Sequence, residues 1–517
     1  METLRLLWAD DEISLLKPHV LFLESKGYSV ETAKSGDEAL ELLKEKEYSA
    51  ILLDENMPGL TGIETLNRIK ILKPLLPVIM ITKSEEEQIM EDAIGSKIAD
   101  YLIKPVNPNQ ILLSLKKILD NQRLISEKTN TEYRKEFQQI GMTISDRLAY
   151  KEWADLYKKI IYWDLELDRL RDKSMSDILK MQKADAGNQF AKFIEKNYVG
   201  WLNGKIAPAP IMSHTLLKHK VFPEIEKFPS VFLLVIDNLR FDQWKVIEPF
   251  FLDYFKVEKE EMYYSILPTA TQYARNSLFA GLLPTEIEKM YPDKWENDED
   301  EGSKNQHEEF FLETNLRRNG KDVKFSYSKI TNLAAGKKLS DSISNYTQNK
   351  LNVIVYNFVD MLSHARTDME VIRELASDES AYRSITKSWF EHSPLFEIVK
   401  QIAAKKCKLI ITTDHGTVNV KEATKVIGDK TVNTNLRYKN GKNLDYNKKD
   451  VLEIKNPQDA YLPRQHISSV FIFAKEDKFF AYPNNYNYYV NYYKNTFQHG
   501  GISLEEILIP FVSLLPK

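Results

Sequence analysis

Short apolar runs that end abruptly in polar residues recur four times in the first 105 positions. Residues 4–9 stop at Asp10-Asp11-Glu12, residues 49–53 stop at Asp54, residues 77–81 stop at Thr82, and a fourth run reaches Tyr101-Leu102-Ile103-Lys104-Pro105. Stretches of helical periodicity separate them, which predicts buried strands of a parallel sheet rather than hairpins. From about Pro108 to about Asn203 the period is helical, with Leu148, Trp153, Leu156, Ile160, Ile161 and Trp163 at three- and four-residue steps. Ala207-Pro208-Ala209-Pro210 stops that pattern, because paired prolines stiffen the chain and end helices. Strand-like runs return at 231–236, 351–359, 408–413 and 467–473. The expected organisation is an α/β domain over 1–120, a helical bundle or bent helical linker over 121–205, and a larger α/β domain with a buried sheet over 206–517.

Three stretches fall outside this pattern. Residues 295–306 are acidic and Asn-rich and read as an exposed loop, and 418–450 form an insertion with eight Lys/Arg against four Asp/Glu. Residues 482–493 are crowded with Tyr and Asn. Tyrosines can stack on nucleic-acid bases, but an aromatic-rich edge or core element is the commoner use of such a run.

At 517 residues there is room for about three domains. No stretch approaches the roughly 18 apolar residues of a membrane span. Met1-Glu2-Thr3 opens directly into a strand, so neither a signal peptide nor membrane insertion is expected, and a cytoplasmic location is. The single Cys407 leaves no intramolecular disulfide and fits a reducing compartment. The net charge of −4 is uneven, with −7 on residues 1–120 and +3 on the remainder. A mildly basic second part suits an anionic substrate or an acidic neighbour. Within 121–205, 16 Lys/Arg and 13 Asp/Glu are finely mixed, the habit of solvated helix faces more than of a nucleic-acid surface.

In parallel sheets the chemistry gathers at the carboxyl ends of strands. Asp10, Asp11 and Asp54 there can hold one hard divalent cation, usually Mg²⁺. The Thr82 hydroxyl and the Lys104 ammonium can then take the extra oxygens if Asp54 becomes phosphorylated. In order and spacing these five residues resemble the set of response-regulator receiver domains, over roughly 1–120. That resemblance implies a flavodoxin-like fold with Asp54 as phosphoacceptor and Asp10 and Asp11 holding Mg²⁺. It also implies the Asn56 carbonyl in the ion's shell, Thr82 and Lys104 on the phosphoryl group, and Tyr101 as the switch aromatic. Lys83 departs from the family, which commonly has a small residue beside the Thr.

The second half carries metal-ligand residue types after its apolar runs: Asp237-Asn238, then Asp360 with His364, then Asp414-His415-Gly416, then His499-Gly500-Gly501. Carboxylates and imidazoles together suit Zn²⁺ or Mn²⁺ better than Ca²⁺. With the Thr271 hydroxyl there are seven positions, too many for one tetrahedral ion and enough for two. A Thr hydroxyl is a poor nucleophile until a metal lowers its pKa.

An Asp, a Thr before Gly281-Leu282-Leu283-Pro284, then D-x-x-x-H, D-H-G and a late H-G-G resemble the alkaline phosphatase superfamily, in the form called the PglZ domain. The resemblance implies one Zn²⁺ on Asp237, Thr271, Asp414 and His415, and a second on Asp360, His364 and His499. Thr271 is then the nucleophile of an in-line attack on phosphorus. Related diesterases often place Asn three residues after the nucleophile. Here Ala274 stands there, and Arg275 is the candidate that supplies phosphate contacts instead. Cys407 is far from Thr271 in sequence, which argues against sulfatase chemistry. His19, His214, His219, His307, His392 and His466 receive no metal role, although His466 lies in a loop that can face the site.

A receiver joined by helices to a PglZ domain resembles the response regulators associated with type IX secretion in Bacteroidetes. That resemblance implies phosphorylation by a sensor histidine kinase, a homodimer on phosphorylation, and contacts with an alternative sigma factor and the secretion motor. The chain has no recognisable helix-turn-helix output. The expectation is a phosphorylation-controlled two-zinc phosphodiesterase acting on nucleotides or short oligonucleotides. The alternative is a phosphorylation-dependent dimerising scaffold whose metal site is structural.

Overall fold

The computed structural model describes residues 4–74, 76–83, 98–145, 147–170, 173–297, 305–376, 378–428, 433–464 and 466–517. Parts of the 295–306 and 418–450 stretches, and Gln465 beside His466, therefore lie outside the described residues. The chain divides into two compact units, one ending at Lys135 and the other beginning at Glu136.

In the first unit, strands β1 (Leu4–Ala9), β2 (Tyr28–Ala33), β3 (Ala50–Asp54), β4 (Val78–Thr82) and β5 (Asp100–Ile103) form one parallel sheet in the order β2-β1-β3-β4-β5. Side chains alternate across it: Leu7, Ala9, Leu53 and Met80 join one core, Leu6, Trp8, Leu52 and Ile81 the other. Burial on both faces explains why these strands are continuous apolar runs. Connections diverge between β1 and β3, so the crevice at their carboxyl ends falls at Asp10 and Asp54. Beyond β3, Thr61 and Glu64 form a capping box that starts the helix Gly62–Leu72. Only glycine fits at 62, since a Cβ there would lie 2.5 Å from the Asp54 carbonyl oxygen and 2.6 Å from the Glu55 Cα.

The second unit is built on a six-stranded sheet. Its strands are β6 (Val231–Ile236), β7 (Phe255–Tyr264), β8 (Phe325–Ile330), β9 (Leu351–Tyr356), β10 (Lys408–Thr412) and the C-terminal strand Leu508–Pro516. The C-terminal strand runs antiparallel between β7 and β10, while β10, β6, β9 and β8 are parallel. β6 is buried at all six positions. The divergence of connections on its two sides opens a second crevice at the ends of β6, β9 and β10.

Two expectations from the apolar pattern are corrected here. The run 467–473 is not a core strand: it becomes Val470–Ala474 in a separate antiparallel sheet with Tyr438–Gly441 and Val451–Ile454, and Ile467 is 89% exposed. The run 351–359 is a strand only to Tyr356, because the helix Phe358–Asp368 begins two residues later and takes Asp360 into its first turn. A carboxylate there also meets the positive end of the helix dipole. The tyrosine-rich stretch supplies the helix Tyr486–Tyr493, an edge element with no fully buried residue that packs on Val418, Val420, Phe479 and Ala481.

The helices Tyr150–Leu170 and Lys173–Leu202 belong to the second unit. The Trp153 and Phe190 rings pack edge-on at 5.3 Å. Arg383 donates to Asp164 (2.7 Å) and Asp168 (2.9 Å), and Lys183 reaches Glu505 at 2.8 Å. Arg240, three residues past Asp237, is fully buried against Asp242 and also bonds Glu379. Among the described residues no helix is long and apolar enough to cross a membrane.

Candidate metal centres and nucleophile

The first crevice gathers acids around one lysine. Asp10, Asp11 and Asp54 each offer an oxygen, all within 4.8 Å of one another. Lys104 Nζ lies 2.9 Å from both Asp10 and Asp54. Burial pushes Asp54 up to about 6, against the pull of its Lys104 hydrogen bond. Thr82 is buried at the end of β4, and its carbonyl accepts from the Lys104 backbone N–H at 2.7 Å. Tyr101 is half-buried against the core that includes Met80. Asn56 lies exposed in the turn after β3. Lys83 points outward and approaches Glu12 at 3.7 Å.

The second crevice holds two clusters, each with its ligand atoms within 4.8 Å: Asp237, Asp414 and His415 in one, Asp360, His364 and His499 in the other. Asp237 follows β6, Asp414-His415 follow β10, and Asp360 with His364 project from one helix face at four-residue spacing. His415 and His499 stack at 4.3 Å, so the clusters adjoin. Each ring has its Nδ1 occupied, in His415 by the Gly416 carbonyl at 3.3 Å and in His499 by the Thr269 carbonyl at 3.2 Å. That turns both Nε2 atoms toward the clusters as acceptors, the usual arrangement behind a metal-bound imidazole. Gly416 is required by close approach, since a Cβ would stand 2.2 Å from the Glu505 carbonyl oxygen.

Thr271 opens the helix Thr271–Ala280, and its Oγ1 lies 3.0 Å from His415 Nε2. The first turn of a helix offers unsatisfied N–H donors and positive potential to an anion.

The residues present fit metal ions. Asp237 Oδ1 and Asp414 Oδ2 are buried without a hydrogen-bond partner. A desolvated carboxylate oxygen is costly unless something positive meets it. Burial raises Asp237 to about 6, opposed by Arg275 and reinforced by Asp414. Burial also raises Asp414 and Asp360. It lowers His415 and, more strongly, His499, keeping both imidazoles neutral as ligation requires.

Arg275 does something other than the sequence reading assigned it. Its Nη1 lies 2.5 Å from Asp237 and 3.8 Å from Asp414, and its Nε donates to Glu308 at 2.6 Å. Only 1% exposed, it backs the first cluster from the protein side and is committed to these acids rather than to a substrate phosphate. His466 sits exposed in its loop.

Three residues to which the sequence analysis gave no role of their own also shape the site. Asn238, at φ 67°, donates through Nδ2 to Asp360 and Ser363, both at 3.3 Å, and so ties one cluster to the other. Thr269 anchors the His499 loop through Gly500 N–H and the Gly501 carbonyl. Glu308 is buried under Arg275, Lys329 and the Tyr327 hydroxyl. Thr269 stood two residues from the expected nucleophile, whereas nothing in the sequence links Glu308 to Asp237.

Comparison with known proteins gives three family matches in chain order. Residues 6–116 match the response regulator receiver domain, 123–202 the PorX response regulator linker domain, and 216–514 the BREX system PglZ alkaline phosphatase-like domain. The transcriptional regulatory protein ZraR of Escherichia coli K12 is 31% identical over 140 residues, 27% of this chain and 32% of ZraR. The transcriptional regulatory protein ResD of Bacillus subtilis is 35% identical over 115 residues, 22% of this chain and 48% of ResD. The chain thus spans from a third to a half of these relatives. Among solved structures, Vibrio cholerae chemotaxis protein CheY4 is 29% identical and covers 23% of this chain and 99% of its own, with a TM-score of 0.22.

Proposed function

The chain belongs to the PglZ alkaline phosphatase-like family, carried behind a receiver and a PorX linker domain, and from this we propose that phosphorylation of Asp54 by a sensor kinase controls a two-zinc phosphodiesterase. Its substrates are nucleotides or short oligonucleotides, and its setting is the regulation of type IX secretion. The observation that carries this reading is the 3.0 Å approach of Thr271 Oγ1 to His415 Nε2, in the buried cluster that adjoins the more open one of Asp360, His364 and His499. A purely structural metal site has no use for a hydroxyl at that position.

When bound, two zinc ions would lower the pKa of a hydroxyl and neutralise phosphate charge. Asp237, Asp414, His415 and Thr271 would hold one, and Asp360, His364 and His499 the other. The protein's own part is orientation. Arg275 and Glu308 fix Asp237, Gly416 and Thr269 turn the two imidazoles, and the helix N-terminus receives the non-bridging oxygens. Thr271 Oγ1 forms the new bond to phosphorus while the ester oxygen leaves on the opposite side. Water then hydrolyses the phosphothreonine.

The test is hydrolysis of bis-p-nitrophenyl phosphate by protein dialysed against chelator, before and after Zn²⁺ is restored. Activity that returns with zinc supports the reading. Silence from zinc-loaded protein, with beryllofluoride and Mg²⁺ also present, would leave the dimerising-scaffold reading in its place.

A further inference from the structure

The helix Tyr486–Tyr493 carries five tyrosines in eight residues. It is anchored by Tyr486, Val490 and Tyr493, which pack against Val418, Val420, Phe479 and Ala481. Its only aliphatic side chain is thus turned inward, and the outer side presents Tyr488 and Tyr489 beside the exposed Asn487 and Asn491. Tyr488 is 63% exposed and Tyr489 39%. Rings four residues apart lie nearly parallel: Tyr488 and Tyr492 at 18° and 6.1 Å, Tyr489 and Tyr493 at 12° and 6.1 Å.

Cations border this face. The Arg373 guanidinium lies 4.9 Å over the Tyr492 ring, and the exposed Lys494 caps the helix. Thr367 joins this surface to the second metal cluster. The Thr367 carbonyl accepts from Arg373 at 2.5 Å and its hydroxyl accepts from Gln498 at 3.1 Å, the neighbour of His499. Thr367 also follows His364 by three residues, about 4.5 Å along the same helix.

We propose that Tyr488, backed by Tyr492 and bordered by Arg373 and Lys494, forms a base-stacking subsite for single-stranded nucleic acid that binds a nucleotide flanking the phosphodiester at Thr271. Tyrosine faces bind any base through its π surface, while a guanidinium and an ammonium attract the phosphates between bases. The guanidinium and ammonium that border this uncharged aromatic face favour a polyanion as its occupant. The position of cleavage rests on the phosphodiesterase reading, but the stacking itself does not.

The experiment uses full-length, zinc-loaded protein with Thr271→Val to prevent turnover, and anisotropy of a fluorescein-labelled oligodeoxyadenylate decamer. Tyr488→Ala with Tyr492→Ala should weaken binding at least about tenfold. The matching Tyr→Phe pair should bind like its parent and serves as the control for helix integrity. Equal binding by the Ala pair and its parent, or no binding by the parent, overturns the proposal. Bis-p-nitrophenyl phosphate hydrolysis by the unsubstituted protein reports separately on the enzyme reading. No hydrolysis together with tyrosine-dependent binding would sink that reading and leave the subsite standing.

Discussion

Arg275 and Asp237 meet at 2.5 Å with each side chain only 1% exposed, and Glu308 closes the guanidinium from the other side. The cation is the only counter-charge that the described residues supply to Asp237, so the ligand's orientation depends on a group that never needs to touch substrate. Arg275→Met should cost about 3–5 kcal/mol, because it strands the buried Asp237 carboxylate and leaves Glu308 to Lys329 and Tyr327 alone. Arg275→Lys keeps the charge but loses the planar fork, and should retain the fold while weakening metal retention. Denaturant melts beside elemental analysis separate the two effects. A Met variant as stable as the parent would show that the acids are held by something else.

Thr271→Val should lower hydrolysis by more than roughly three orders of magnitude while leaving bound zinc nearly unchanged. The hydroxyl is the reacting atom in the proposed step, and six other ligands remain. Wild-type rates in the Val protein would mean that water, not Thr271, attacks phosphorus.

Asp360→Ala or His499→Ala should reduce the zinc content from about two per chain towards one. Each removes a donor from the same cluster and none from the other. Metal analysis after gel filtration reads this directly, and an unchanged stoichiometry would place the second ion elsewhere.

Lys439 gives a pH signature independent of the metals. It is 1% exposed, donates to the Asn433 carbonyl and lies 4.8 Å over Tyr482, and burial alone lowers it from 10.5 to about 7. The folded state therefore disfavours its proton. Between pH 7 and 10.5 the unfolded chain binds more protons, so this group's contribution makes stability rise with pH across that window. Lys439→Met should remove about 2 kcal/mol of the difference between pH 7 and pH 9, and should raise stability at pH 7. Urea melts at the two pH values decide it. A parental pH slope in the Met protein would assign the effect to other groups.

In the receiver, beryllofluoride with Mg²⁺ should drive dimerisation, and the dimer should hydrolyse diester faster than the monomer. Asp54→Asn should abolish both responses. Sedimentation run beside the diesterase assay tests them together, and a beryllofluoride dimer no more active than the monomer would uncouple switch from enzyme.

What the sequence made legible follows from where information is local. Asp10, Asp54, Asp237 and Asp414 each follow or end an apolar run, and a buried parallel strand has no other simple reading, so its end was visible. Asp360 and His364 were found by spacing, although the residues between Tyr356 and Asp360 already belong to a helix start. The run 467–473 misled because a strand of a small side sheet is as apolar as one of the main sheet. Arg275 was misread because its helix is buried at nine of ten positions, and periodicity cannot tell which buried residue faces a carboxylate. Glu308, 33 residues further on, carries no local mark at all.

The salt bridges from Arg383 to Asp164 and Asp168, and from Lys183 to Glu505, bear on how this chain can be cut. The proline pair at 208 and 210 looks like the natural seam, and a fragment beginning at 206 would follow it. That fragment would cost Arg383 both Asp164 and Asp168, leaving it Asp242 alone, and would remove the packed rings of Trp153 and Phe190. A fragment beginning near 148 keeps those charges paired and those rings in place. Modularity here follows the burial of ions rather than the punctuation of the sequence, and what stays whole as a fragment is the PglZ domain together with the helices that precede it.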